Sequence, residues 1–212
     1  NPERGVYKSV DGGHSWEKVL YLSEESGFYD VELLPHNPDV VFATAWKARR
    51  TPWTIISGGD NKDGGIYKSI DGGKNWRKIT EGLPQGLIGK IDVGVSPADS
   101  SVVYALVEAP DEQGGLYRSV DQGETFVQVS SHIGLRNRPF YYTNIAIDPQ
   151  DADVVYAMAT NYYKSVDGGK NWETMTPPHG DSHDMWINPD TPSILIQSND
   201  GGANVSIDGG QD

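Results

Sequence analysis

The sequence predicts an all-β chain folded as β-propeller blades, and two repeats running out of phase with each other predict it. The first is a turn motif that occurs five times: Tyr7-Lys-Ser-Val-Asp-Gly-Gly-His-Ser-Trp16, Tyr67-Lys-Ser-Ile-Asp-Gly-Gly-Lys-Asn-Trp76, Tyr117-Arg-Ser-Val-Asp-Gln-Gly-Glu-Thr-Phe126, Tyr163-Lys-Ser-Val-Asp-Gly-Gly-Lys-Asn-Trp172 and Asn204-Val-Ser-Ile-Asp-Gly-Gly210. The aspartates are Asp11, Asp71, Asp121, Asp167 and Asp208, at intervals of 60, 50, 46 and 41 residues, which suit one four-stranded blade per repeat.

The second repeat is a short alternating strand, a proline turn and a β-branched strand. It runs Asp30 to Pro35 into Val40–Thr44, Asp92 to Pro97 into Val102–Ala105, Asn144 to Pro149 into Val154–Ala157, and Asp184 to Pro189 into Ile194–Ile196. Alternation marks strands, and the Pro, Asn and Asp clusters mark turns. Each unit is therefore strand A, proline turn, strand B, loop, strand C (Tyr-Lys-Ser), aspartate turn, strand D. On this reading residues 1–29 form a partial blade, 30–82, 83–130 and 131–176 full blades, and 177–212 a second partial blade. Four to five units fall short of a common ring size, so the expectation is an incomplete ring whose remainder lies elsewhere. A tight ring of four or five units closed by its two ends is the alternative.

Composition agrees with short strands and many turns: apolar residues are 36%, and there are 25 glycines. With no cysteine, neither a disulfide framework nor a thiolate metal site can form. A formal charge of −13 disfavours a nucleic-acid backbone or an anionic membrane as partner. No apolar run has the length of a membrane span. The opening Asn1-Pro2-Glu3-Arg4 reads as that of a mature or excised fragment.

The pattern Ser-x-Asp-x-Gly-x-(Thr/Ser/Asn)-Trp resembles the Asp-box, or BNR, repeat of sialidases, xyloglucanases, sortilin-type ectodomains and a photosystem assembly factor. Arg50-Thr-Pro-Trp53, Arg138-Pro139 with Tyr141-Tyr142, His179-Gly-Asp-Ser-His-Asp184 and Asn199-Asp-Gly-Gly202 resemble a group of large secreted bacterial Asp-box proteins described as sortilin-like or glycosyl hydrolase. The resemblance implies a propeller and a secreted or periplasmic, bacterial setting, and says little about function.

The five aspartates themselves are assigned to folding. Asp in a turn accepts neighbouring backbone N–H groups, the next glycine takes a positive φ, and the aromatic packs over the hairpin. In an up-and-down blade these turns share one face with the proline turns, which leaves the irregular segments on the opposite face, where loops usually carry function. The loop after strand B in the first full blade brings Trp46, Arg50 and Trp53. The crossover 130–143 brings Arg136, Arg138, Tyr141 and Tyr142, and the next one brings His179, Asp181 and His183. Two columns rise to that face: Asp30, Asp92, Asn144 and Asp184 five residues before each proline, and Trp46, Glu108, Thr160 and Asp200 eleven residues after it. They read as a polar pocket or as strand caps bonded to crossover N–H groups.

Three functions fit these residues. In the first, Trp46, Trp53, Tyr141 and Tyr142 stack on a carbohydrate or extended peptide, with Arg50, Arg136, Arg138, Asp92, Glu108, His179 and His183 as polar contacts. In the second, Asp184 and Asp200 act as paired carboxylates of a glycoside hydrolase, and Asp200-Gly-Gly202 loosely resembles a xyloglucanase segment. In the third, the domain is a scaffold within a larger assembly. His179, Asp181 and His183 could ligate a divalent metal, although their glycine- and proline-rich setting favours polar loop roles, and no cofactor is expected.

Overall fold

The computed structural model describes residues 1–50, 55–58 and 64–211, with the backbone alone for 49, 50 and 55–57. It opens with the two-stranded hairpin β1 (Val6–Lys8) and β2 (Glu17–Leu20). Four antiparallel sheets then follow as propeller blades. The first is β3 (Gly27–Leu34), β4 (Asn37–Trp46), β7 (Gly65–Ser69) and β8 (Arg77–Ile79), carrying the small hairpin β5 (Ala48–Arg50) with β6 (Ile55–Ser57). The second is β9 (Ile91–Val95), β10 (Val103–Val107), β11 (Gly115–Ser119) and β12 (Val127–Ser130). The third is β13 (Asn144–Ile147), β14 (Val155–Met158), β15 (Tyr162–Ser165) and β16 (Glu173–Met175). The fourth has three strands: β17 (Ser182–Ile187), β18 (Leu195–Asn199) and β19 (Gly202–Ser206). The segment after Trp46, expected as an irregular loop, thus contains a hairpin. No helix of the described residues is long and apolar enough to cross a membrane.

The aspartate turns form the network that their residue types require. In the second copy, the Ser69 hydroxyl donates to Asp71 at 2.9 Å and accepts the Gly73 N–H at 2.8 Å. The same carboxylate accepts the Lys74 and Asn75 N–H groups at 3.0 and 2.9 Å and the Asn75 side-chain amide at 2.7 Å. The Asn75 amide and the other donors pull Asp71 down to about 2. The Gly72 N–H donates to Asp39 O in the proline turn of the same sheet at 2.8 Å. Gln122 to Ser101, Gly168 to Asp153 and Gly209 to Ser193 repeat this bond, so both kinds of turn lie on one face.

Neighbouring sheets are tied at both ends. On the turn face, the basic residue of the Tyr-Lys-Ser strand reaches into the next unit: Lys8 Nζ donates to Gly72 O at 2.7 Å, Lys68 Nζ to Gln122 O at 2.6 Å and Lys164 Nζ to Gly209 O at 3.4 Å. Arg118 makes the same crossing to the Asp153 carboxylate at 2.7 Å. Around the axis, Asp30 accepts the Val93 N–H at 3.0 Å and Asp92 accepts the Ile145 N–H at 2.7 Å, while the Asn144 amide donates to His183 O. The column expected to cap crossovers therefore stitches each innermost strand to the next. A Cβ on Gly94 would sit 2.1 Å from Ile147 Cδ1, so the absence of a side chain lets β13 approach β9.

Blade-on-blade packing makes the core. Val93, Val95, Ile145, Ile147 and Ile187 occupy the same two repeat positions and are all buried. On β3 those positions are Val31 and Leu33, 47% and 52% exposed. No sheet of the described residues covers them. The outward face of the last sheet is equally bare, with Trp186, Ile196 and Val205 paired in one cross-strand row and all exposed.

Candidate functional site

The face opposite the turns gathers three irregular segments: residues 138–143 between β12 and β13, residues 179–183 before and into β17, and residues 199–201 between β18 and β19. Three of the six non-glycine residues with positive φ among the described residues lie here, Arg138 (55°), Thr143 (83°) and Asp181 (58°). A β-branched residue at φ 83° costs on the order of 1–3 kcal/mol, and surrounding structure must hold it. Thr143 is held by its N–H, which donates to Met158 O at 2.9 Å, while its buried hydroxyl lacks a hydrogen-bond partner.

Arg138 and Tyr141 form the exposed part, with Tyr142 beneath them. The Arg138 O accepts the N–H groups of Tyr141 (3.0 Å) and Tyr142 (3.3 Å), which folds the segment into a tight turn. Its guanidinium lies 5.1 and 5.5 Å from the centres of the Tyr141 and Tyr142 rings and 3.8 Å from the Asp181 carboxylate. Tyr141 remains 38% exposed, whereas Tyr142 is buried. Burial, with the hydrogen bond to Asp181, pushes the Tyr142 hydroxyl up to about 12. The Tyr142 ring is 5.1 Å from that of His183, whose Nε2 is 2.7 Å from Asp200 Oδ1.

Beneath this surface lies a charged axial cluster. Lys90 is 2% exposed; its Nζ donates to Tyr142 O at 2.5 Å and Asn144 Oδ1 at 3.1 Å, and sits 3.9 Å from the centre of the Tyr29 ring. The Tyr29 hydroxyl donates to the same Asn144 oxygen at 2.5 Å. Glu108 accepts the Lys90 N–H at 2.9 Å. Burial, reinforced by Asp30, raises Asp92 well above the usual carboxylate range, and burial raises Asp30 and carries Glu32 to about 7.

The structure thus brings Arg138, Tyr141, Tyr142, His183 and Asp200 together, with Asp92 and Glu108 below them. Other candidates are already engaged. Arg136 is a clamp, donating to Ala109 O at 3.1 Å and Asp111 O at 2.5 Å across Gly114. Trp46 packs against Tyr29 and Phe140 at 6.2 and 5.2 Å between ring centres. Asp184 accepts the Met185 N–H at 2.8 Å. Trp53 lies outside the described residues, as does the Arg50 side chain. His179 hydrogen-bonds Gly180 O at 2.9 Å and packs on Gly201, whereas Asp181 engages Tyr142 and Arg138 and His183 engages Asp200. No group of three or more His, Cys, Asp or Glu among the described residues is placed to hold a metal. Sequence reasoning passed over Lys90, which carries no motif; a lysine two residues before the buried Asp92 was the only signal available.

No family model matches the chain. It is similar to xyloglucanase Xgh74A of Acetivibrio thermocellus, 24% identical over 193 residues that make 81% of this chain and 22% of that protein. It is also similar to sortilin of Rattus norvegicus, 28% identical over 130 residues, covering 58% of this chain and 14% of that protein. The chain therefore spans less than a quarter of the curated relatives it matches. Among solved structures, the Niastella koreensis GH74 enzyme superposes on 94% of the chain with a TM-score of 0.64 at 18% identity, over 30% of its own length. That likeness establishes a shared β-propeller fold.

Proposed function

We propose that the face built by residues 138–143, 179–184 and 199–201 binds a carbohydrate chain. One observation carries this reading: an exposed aromatic ring, Tyr141, is held under a guanidinium beside the His183–Asp200 pair, on a backbone strained at three positions. A sugar offers a weakly polar C–H face to such a ring and a rim of hydroxyls to arginine, imidazole and carboxylate. Similarity to a xyloglucanase supports the same class of ligand. The serine–aspartate bonds of the turns support membership of the Asp-box repeat proteins. The bare faces at Val31/Leu33 and Trp186/Ile196 support a place within a larger propeller, because equivalent positions elsewhere are covered by a neighbouring blade. The same proposal places the chain in a secreted or periplasmic bacterial setting, and the xyloglucanase relative is bacterial.

Titration of the chain with xyloglucan oligosaccharides, cello-oligosaccharides and an unrelated α-glucan tests this reading. Binding that falls at least about tenfold in Tyr141→Ala, an ordinary loss for one stacked aromatic, is the expected result. Absence of binding to every glycan by folded chain overturns it. Glycoside hydrolysis by the same face is the second reading, favoured by Asp200 held at His183. Reducing-sugar release by the wild type that is abolished in Asp184→Asn/Asp200→Asn would establish it, and binding without release would exclude it for this chain.

A further inference from the structure

We propose that Lys90 is a positioning residue that sets the conformation of the 138–143 segment and so presents Tyr141 to the ligand. The inference rests on the binding face proposed above for its consequence, and on geometry alone for the tether. Lys90 belongs to the second sheet's approach to β9, whereas its ammonium ends on the carbonyl of Tyr142, in the crossover that leads into the third. That carbonyl belongs to the peptide group immediately before Thr143, the β-branched residue at φ 83°. A charge-assisted bond placed there opposes the relaxation that Thr143 would otherwise undergo. The second acceptor, Asn144 Oδ1, lies on the other side of Thr143 and also takes the Tyr29 hydroxyl, so the strained residue is bracketed. Nothing about Lys90 is spare: its backbone N–H and carbonyl are both used by Glu108.

The groups facing the ammonium are Tyr29 and Asp30 on β3, Asp92 on β9, Glu108 after β10, and Asn144 with the Tyr142 carbonyl from β13 and its approach. Burial lowers Lys90 to about 8, against the pull of Asp92, Glu108 and Asp30 in the other direction. Raising the pH through that value replaces an ammonium by an amine, which holds the carbonyl less strongly and loses its attraction to the Tyr29 ring. The contribution of Lys90 itself to global stability moves the opposite way. A lysine whose folded pKa lies below its unfolded one favours the folded state increasingly as pH rises from about 8 to about 10.5. Loosening confined to this segment, while the β14 and β15 amides hold, is therefore the signature of the tether.

Hydrogen-exchange protection of the Tyr141, Tyr142 and Thr143 amides, followed from pH 6.5 to 9 in the whole chain, tests this. Wild-type protection at these three amides should fall as pH rises, while β14 and β15 amides hold. Lys90→Met should lose about tenfold at neutral pH, the worth of one charge-assisted bond, and show no further pH dependence. Equal protection in both proteins, or a flat wild-type profile, overturns the proposal. Should Lys90→Met fail to fold, the wild-type profile decides by itself. Cellohexaose and xyloglucan heptasaccharide titrations run alongside separate the two readings. If the wild type binds neither, the carbohydrate reading fails, and the exchange result still settles the tether.

Discussion

The Asp92 carboxylate accepts the backbone N–H of Ile145 at 2.7 Å, so a side chain of β9 completes the inward edge of β13. Asp30 does the same for Val93 one sheet earlier. The inner edge of an innermost strand has no further strand to bond, and buried N–H groups must find acceptors elsewhere. Replacing Asp92 by leucine should leave the Ile145 N–H buried and unpaired, at a cost of about 1–3 kcal/mol. Asp92→Asn keeps an acceptor oxygen and should cost less. Urea denaturation of the two variants beside the wild type gives the comparison, and equal midpoints for leucine and asparagine would remove the bond's claim to a stabilising role.

Glu32 should make the chain less stable as pH rises through neutrality. Burial and the nearby Asp30 raise it from 4.5 to about 7. The folded state then binds more protons than the unfolded one between those values, so stability falls across that window. The urea midpoint should drop from pH 5 to pH 8, and the drop should shrink in Glu32→Gln. An unchanged slope in the variant would assign the effect to the other buried carboxylates.

The turn aspartates should govern the acid limb. Asp11, Asp71, Asp121 and Asp167 are each drawn down to about 2 from 3.8, in the first two and Asp167 chiefly by the residue four positions on. Their contribution is complete above the unfolded value and is lost as pH falls towards the folded one. An Asp71→Asn/Asp167→Asn variant should start less stable at neutral pH and fall less steeply between pH 4 and pH 2, read by circular dichroism during acid titration.

Identical repeat positions should differ in worth. Phe126 is 2% exposed and Trp16 is 62% exposed, although both follow an aspartate turn by five residues. Phe126→Ala should cost about 3–5 kcal/mol, and Trp16→Ala less than about 1 kcal/mol. Chemical denaturation measures both, and similar costs would mean that the hairpin β1–β2 is packed more firmly than its exposure indicates.

The chain's residue types alone determined the blade architecture, the turn chemistry and the face that carries irregular segments. Each follows from local rules: a period of two for strands, proline and aspartate at turns, and glycine where φ must be positive. They also named Arg138, Tyr141, Tyr142 and His183, because these interrupt the repeat, and Asp200, from its place eleven residues after the fourth turn proline. Tertiary structure decided which of the candidates gather on one face and which are engaged elsewhere. Arg136 and Trp46 look like ligand-binding residues in sequence and are spent on carbonyls and on neighbouring rings. The roles of Asp92 and Lys90 could not be read from spacing, since their partners lie 53 and 52 residues away, in the next sheet and in the crossover that leads into it. Which side chain meets which backbone group around the axis depends on how one blade settles on another, and that is set by packing of whole sheets rather than by any local pattern.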